Sequence, residues 1–323
     1  MTSGRRTLGS FLHDLPRSTV RYLFGDAVTA ASARPVLVLG AASLAIILWA
    51  SVYSGLRVAL EGFSAGQLAF LRLLIASIVL SAYAAFAGDY VHMPARRDWP
   101  RLGLIGLIGF AAYYLLLNVG QRTVDAGTAS FIINTTPALS ALLAVVFLKE
   151  TLRRLAVAGI AVSLAGVGLI AVSGGSGMRI GLSPGALVLL CAALAHAVYF
   201  ILQKAALKTL SPFEVTVGCM WAGTVCLLPF AAGLSAAVAE APPQIIATTL
   251  YVGIFPTALS HLLWAFVLKH LPASTATSLL ILISPTAVLI GAVWLGETPS
   301  GLAWLGGILA ISGVVMVQAR THR

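Results

Sequence analysis

Residues 134–151 read NTTPALSALLAVVFLKET, and residues 282–298 read LISPTAVLIGAVWLGET. Each stretch sets a hydroxyl residue before a proline (Thr136-Pro137, Ser284-Pro285), runs on through apolar residues and closes on Glu-Thr (Glu150-Thr151, Glu297-Thr298). The offset between the copies is 148 residues at the proline and 147 at the acid. Downstream, Gly159 and Gly166 match Gly306 and Gly313 at an offset of 147, and upstream Val52-Tyr53 matches Val198-Tyr199 at 146. Anchors in the same order at nearly constant offset mark an internal duplication.

The duplicated unit belongs in lipid. Of the 323 residues 59% are hydrophobic and only 9% charged, and the mean hydropathy is +0.98. A soluble domain carries roughly 25% charged residues, so this chain cannot coat a water-facing surface. Ten apolar runs are long enough to span a bilayer: 36–58, 65–87, 102–120, 126–148, 155–173, 184–206, 213–235, 245–267, 272–295 and 302–319. The expected organisation is a basic tail at 1–35, a five-span unit at 36–173, a Gly/Ser-rich linker at 174–183, a second five-span unit at 184–319 and a short tail at 320–323. Residues 11–24 read either as an interfacial helix or as a partly disordered tail. No cleavable signal peptide precedes the first run.

An odd number of spans per unit turns the second copy upside down in the membrane, and the loop charges agree. With the N-terminus in the cytoplasm, sixteen of the twenty Lys and Arg residues fall on the inner side, three on the outer side, and Arg72 lies within a span. Arg96-Arg97-Asp98 corresponds to the arginine-free Glu240-Ala241-Pro242-Pro243, and Lys149 to Arg154 corresponds to residues 296–301, which hold no basic residue. Matched loops of opposite bias are what inverted repeats require. The fold class expected is therefore an all-α membrane protein of ten transmembrane helices in two inverted five-helix repeats, with both termini cytoplasmic. This placement of the +10 net charge argues for topology control and anionic lipid rather than nucleic acid. Cys191, Cys219 and Cys226 lie in apolar runs and form no CxxC, so neither a disulfide framework nor a metal site is expected.

Several motifs together resemble the EamA-like branch of the drug/metabolite transporter superfamily. They are Leu48-Trp49-Ala50 with Arg57 following, Phe70-Leu71-Arg72-Leu73-Leu74, Thr136-Pro137-Ala138 with Phe147-Leu148-Lys149-Glu150, and Ser284-Pro285 with Leu295-Gly296-Glu297. The resemblance covers about residues 36–319. It implies a secondary transporter in a bacterial inner membrane, with a central cavity between repeats, exporting amino acids or related metabolites without a cofactor. One departure is visible: span 6 has Ala195-His196 where span 1 has Trp49-Ala50, and Gln203 where span 1 has Arg57.

Candidate ligand-facing residues are the polar and aromatic ones within spans: Trp49 and Tyr53, four apart on one face; Tyr113, Tyr114 and Asn118; His196, Tyr199 and Gln203, spaced by three and four; and His261 with Trp264. Each also has a plain packing reading. Asn134 and Thr135 precede Pro137 and could bond substrate, or Thr135 could serve neighbouring backbone. Pro137 and Pro285 free the carbonyls of Ile133 and Ile281, which makes them matched hinges, cavity walls or simple kinks. Arg72 is either a carboxylate or phosphate contact or a structural arginine serving carbonyls or Glu61. All ten acids avoid the middle of a span, so proton coupling would need His196 or His261, and weak dependence on a proton gradient is expected. Small residues in spans 5 and 10 (Gly159/Ser163, Ala161/Ala165, Ala303/Gly307, Gly306/Ala310) read as scaffold or as a homodimer surface. No HExxH, GxSxG or phosphate-loop signature supports an intramembrane enzyme, and no filter-like loop supports a channel. Those two classes, with a non-transporting receptor, are the alternatives to transport of a small-molecule metabolite.

Overall fold

In lipid every backbone N–H and C=O must be satisfied inside the chain, and helices achieve this segment by segment. The computed structural model describes residues 35–87, 93–148, 154–172, 183–270 and 279–318. Residues 1–34, Glu150-Thr151, linker positions 174–182 and the final tail lie outside the described residues.

The described chain is all-helical. Its elements are α1 (Pro35–Ala59), α2 (Ala65–Ala87), α3 (Trp99–Gly106), α4 (Tyr113–Gln121), α5 (Ala126–Ile133), α6 (Thr136–Leu148), α7 (Arg154–Val172), α8 (Pro184–Ala206), α9 (Pro212–Cys226), α10 (Leu234–Glu240), α11 (Pro243–Val252), α12 (Ser260–His270), α13 (Ile283–Leu295) and α14 (Gly301–Gln318). Segments Leu37–Ala59, Ala65–Phe86, Arg96–Gln121, Pro184–Ala206 and Pro243–Trp264 are long and apolar enough to cross a membrane, and Arg154–Ile170, Leu280–Leu295 and Gly301–Val317 are shorter apolar helices. Leucines and isoleucines such as Leu39, Ile47, Leu104 and Ile308 stay exposed on the outside of the bundle, as a lipid-facing surface requires.

Two local departures from straight spans recur at matched positions. A π-helical turn, Leu107–Ala112, joins α3 to α4, and another, Gly253–Leu259, joins α11 to α12. Such turns are rare and frequent at functional sites. The fourth span is broken between α5 and α6, with Asn134 and Thr135 in a turn. Pro137 leaves the Ile133 carbonyl without its helical donor, and the Thr136 hydroxyl takes that carbonyl at 2.6 Å. Ahead of Pro285, a 3-10 turn at Leu280–Leu282 leads into α13.

Span 7 is shorter than its hydropathy. The expected run 213–235 stops at Cys226, passes through a 3-10 turn at Leu228–Ala231 and restarts as α10 after Gly233, which adopts φ 72°. Pro229 has no amide to continue the ladder, and a positive φ suits glycine. The start of α9 is fixed by a capping box between Ser211 and Glu214.

The halves interlock through matched contacts. α7 and α14 approach so closely that a Cβ on Gly159 would stand 2.6 Å from the Gly313 carbonyl and one on Gly313 2.4 Å from the Gly159 carbonyl; Gly166 and Gly306 are reciprocal in the same way, at 2.5 and 2.6 Å. The small-residue stripe of Gly159, Ser163, Gly306 and Ala310 is thus used within one chain, while Ala161 and Ala165 remain exposed. On α2 and α9, Ser77 bonds Thr224 at 3.1 Å; these two residues are themselves 147 apart.

Candidate functional site

The first π turn, with α4, α8, α12 and α1, brings aromatic side chains to a common centre. A Cβ on Gly109 would fall 2.1 Å from the Tyr199 ring, so only glycine lets the first π turn lie against α8 there. Phe110 then meets Tyr199 edge-on at 5.4 Å, stacks near-parallel on Tyr114 at 5.8 Å and reaches His261 at 5.8 Å. Tyr113 stacks on His196 at 4.3 Å, and His196 continues to Tyr199 and Phe200. From α1, Trp49 closes the group, edge-on to His261 at 5.5 Å and tilted against Trp264 at 5.2 Å. Offset and edge-to-face pairs at these separations are the favoured aromatic geometries. Four spans from both halves thereby supply one contiguous cluster.

The cluster has a polar side. Arg72 on α2 is 3% exposed, and its guanidinium carbon sits 4.3 Å from the Tyr114 ring centroid, a cation–π contact. Its Nη1 donates to Asn118 Oδ1 at 3.3 Å, and Asn118 Nδ2 donates to the Ala65 carbonyl at 3.0 Å. Asn118 is therefore occupied at both ends, holding α4 to α2. Among the described residues Arg72 Nε and His196 Nδ1 have no hydrogen-bond partner. His261 Nδ1 lies 2.7 Å from the Thr257 carbonyl, and since a carbonyl only accepts, Nδ1 is the donor there. Gln203 Nε2 donates to the Tyr199 hydroxyl at 2.6 Å.

The other sequence candidates fall elsewhere. Tyr53 is the exception: it is buried, its carbonyl accepts from Gln121 at 3.1 Å, and its side chain lies within electrostatic reach of Tyr113 and Arg72, behind the cluster. Thr135 turns its hydroxyl to the Ile132 carbonyl at 2.6 Å, the local role. Asn134 donates to the Ser284 hydroxyl, and Ser284 donates in turn to the Ser130 carbonyl at 3.1 Å. The break in span 4 thus bonds to the first turn of α13. Pro137 is half-buried and Pro285 exposed. Arg57 forms a clamp: its Nε meets Glu297 at 2.9 Å, its Nη1 donates to the Gln121 carbonyl at 3.0 Å, and Glu297 also accepts from the Ala126 amide at 3.1 Å. Phe110, Phe200 and Ser284 escaped the sequence reading as site residues. Phe110 lies three and four residues before Tyr113 and Tyr114, which was the available signal.

Comparison with known proteins identifies the family. The model of the EamA-like transporter family matches residues 36–172 and 183–318. A probable terminal-alkyne amino-acid exporter of Streptantibioticus cattleyicolor is 39% identical over 278 residues, covering 86% of this chain and 92% of that protein. The uncharacterized transporter YdfC of Bacillus subtilis is 35% identical over 87% of this chain and 90% of its own length. The uncharacterized inner membrane transporter YedA of Escherichia coli is 25% identical over 86% and 89%. A crystal structure at 19% identity superposes with a TM-score of 0.58 over 88% of this chain and 96% of that one, a likeness of fold alone.

Proposed function

This chain belongs to the EamA-like transporter family within the drug/metabolite transporter superfamily, and from that membership we propose that it exports a small amino-acid-like metabolite across a bacterial inner membrane by alternating access. It is a multi-pass membrane transporter. The proposed arrangement is ten spans in two inverted five-helix repeats, 36–173 and 184–319, joined by 174–183, with both termini cytoplasmic. Matched loops of opposite charge, reciprocal glycine contacts and paired π turns support it.

The observation that carries the function is the single aromatic–histidine cluster built from α1, α4 with its π turn, α8 and α12. Aromatic walls with few polar groups suit a small amphipathic ligand. Trp49, Tyr113, His196, Tyr199, His261 and Trp264 would line the ligand path, with Gln203 and Tyr53 behind them and Arg72, held by Asn118, at its polar edge. Asn134, Thr135, Pro137 and Pro285 would form the bending points of spans 4 and 9. The name of the Streptantibioticus relative favours an amino acid with an apolar side chain as cargo.

Counterflow in proteoliposomes tests the proposal. Vesicles loaded with an unlabelled amino acid should accumulate the same labelled compound transiently, whereas sugars and nucleotides should give none. Absence of counterflow across all three classes would remove the transport reading for these substrates.

A further inference from the structure

Arg72 has chemistry that the packing leaves unfinished. Among the described residues it is the one buried Lys or Arg, and neither ion pair found there involves it. Its partners are one long bond to a neutral amide and one aromatic face, and its Nε–H is unpaired. Glu61 is exposed and makes no ion pair with it. A guanidinium offers five donors in a planar fork matched to a carboxylate. Here that fork sits seven residues into α2, about 10 Å along the helix, against Tyr114, which abuts Phe110 and Tyr113.

We propose that Arg72 anchors a single carboxylate on the transported molecule, an inference that rests on the transport reading above. A bilayer penalises an unpaired charge, and the cargo would supply the missing counter-ion. One cation favours a monoanion: a phosphate monoester near −2 would keep an excess charge where, among the described residues, no second Lys or Arg is buried. An α-ammonium on the same cargo has no carboxylate to meet, since all ten acids avoid the span centres. The faces of Trp49 and Tyr113 would take it through cation–π contact. The apolar remainder would lie against Phe110 and Tyr199.

The test uses the full chain in nanodiscs, read by thermal shift. The probes are L-phenylalanine, L-leucine and L-methionine, each paired with its carboxamide, and phenyl phosphate. A charge-assisted bond lost with the carboxylate should weaken binding by about 10- to 100-fold, so each acid should stabilise at concentrations where its amide does not. Arg72→Lys should keep the acid-over-amide preference, and Arg72→Gln should abolish it while the Trp49-dependent fluorescence of the cluster persists. A purely structural arginine would weaken acid and amide alike. The proposal falls if amides match acids in the wild type, if phenyl phosphate outcompetes every acid, if none of the acids stabilises, or if Arg72→Gln still prefers the acid. Counterflow that persists for a cargo without a carboxylate would overturn the anchor and leave transport standing; absence of all counterflow would overturn both.

Discussion

Replacing Pro137 by alanine probes the hinge directly. In the structure α5 ends at Ile133 and α6 begins at Thr136, and the buried Ile133 carbonyl is served by the Thr136 hydroxyl at 2.6 Å. Alanine at 137 would supply an amide four residues after Ile133, able to take that carbonyl and draw α5 and α6 into one continuous helix. One such bond is worth about 0.5–1.5 kcal/mol net. If transport bends span 4 at this junction, the bond must open on the way, and at about 1.36 kcal/mol per decade turnover should slow by about 2- to 12-fold. Substrate affinity should change little. Thr136→Ala supplies the cross-check: alone it strips the Ile133 carbonyl of its donor, costing about 1–3 kcal/mol, whereas in the Pro137→Ala background the new amide covers it. The two changes should therefore couple by at least about 0.5 kcal/mol. Initial counterflow rates and apparent melting temperatures of the two singles, the double and Pro285→Ala give the answer. Unchanged rates in both proline variants, or an equal Thr136→Ala penalty in both backgrounds, would refute the hinge.

The α7–α14 seam should be the least forgiving part of the scaffold: Gly166→Leu places a Cβ 2.5 Å from Gly306 O and Ala310 N, backbone atoms that cannot step aside, so the variant should lose monodispersity in gel filtration while Gly168→Ala, with nothing within 4 Å, behaves as wild type. Cysteines introduced at Gly175 and Arg97 should label from opposite sides of the membrane, Gly175 from outside; equal labelling from one side would contradict the inverted arrangement. With no carboxylate in the middle of a span, flux should survive a protonophore, and flux that is lost and returns only with an imposed pH gradient would show proton coupling instead.

The duplication was legible because its anchors are residues with backbone consequences: two prolines, four glycines and two acids hold register where leucines cannot. Span 2 came out at 65–87, matching α2. Span 7 did not, because hydropathy counts Leu228 and Phe230 as membrane without asking what Pro229 does to the ladder between them. The π turns escaped the sequence reading, although Pro256 inside the second one removes an amide from its ladder; close approach accompanies both, Gly109 against Tyr199 and Gly253 against Ile75. Arg57 found its acid 240 positions away in the other copy, a pairing only the folded chain reveals. Asn118 looked like a ligand contact because polar groups in spans face inward, yet both its groups are already spent on Arg72 and Ala65.

Scaffold and site use the duplication differently. Where spans cross their own counterparts the contacts repeat: Ser77 meets its equivalent Thr224, and the Gly159–Gly313 contact is mirrored by the one between their equivalents, Gly306 and Gly166. Two such halves can exchange conformations at similar energy, which alternating access demands. The cluster breaks that equivalence. His196 falls where span 1 carries Trp49 or Ala50, Arg72 matches Cys219 at an offset of 147, and Arg57 has its clamp where span 6 has Gln203 and Lys204. A ligand held at the proposed site would meet unlike walls from the two halves, which would orient it while the frame around it stays balanced. Making the halves alike should therefore damage recognition: Arg72→Cys, which copies the residue at the matched position 219 into α2, should remove the preference for acids over their amides in thermal shift while Ser77 and Thr224 still join α2 to α9, and a preference that survives would show that the asymmetry does not orient the ligand.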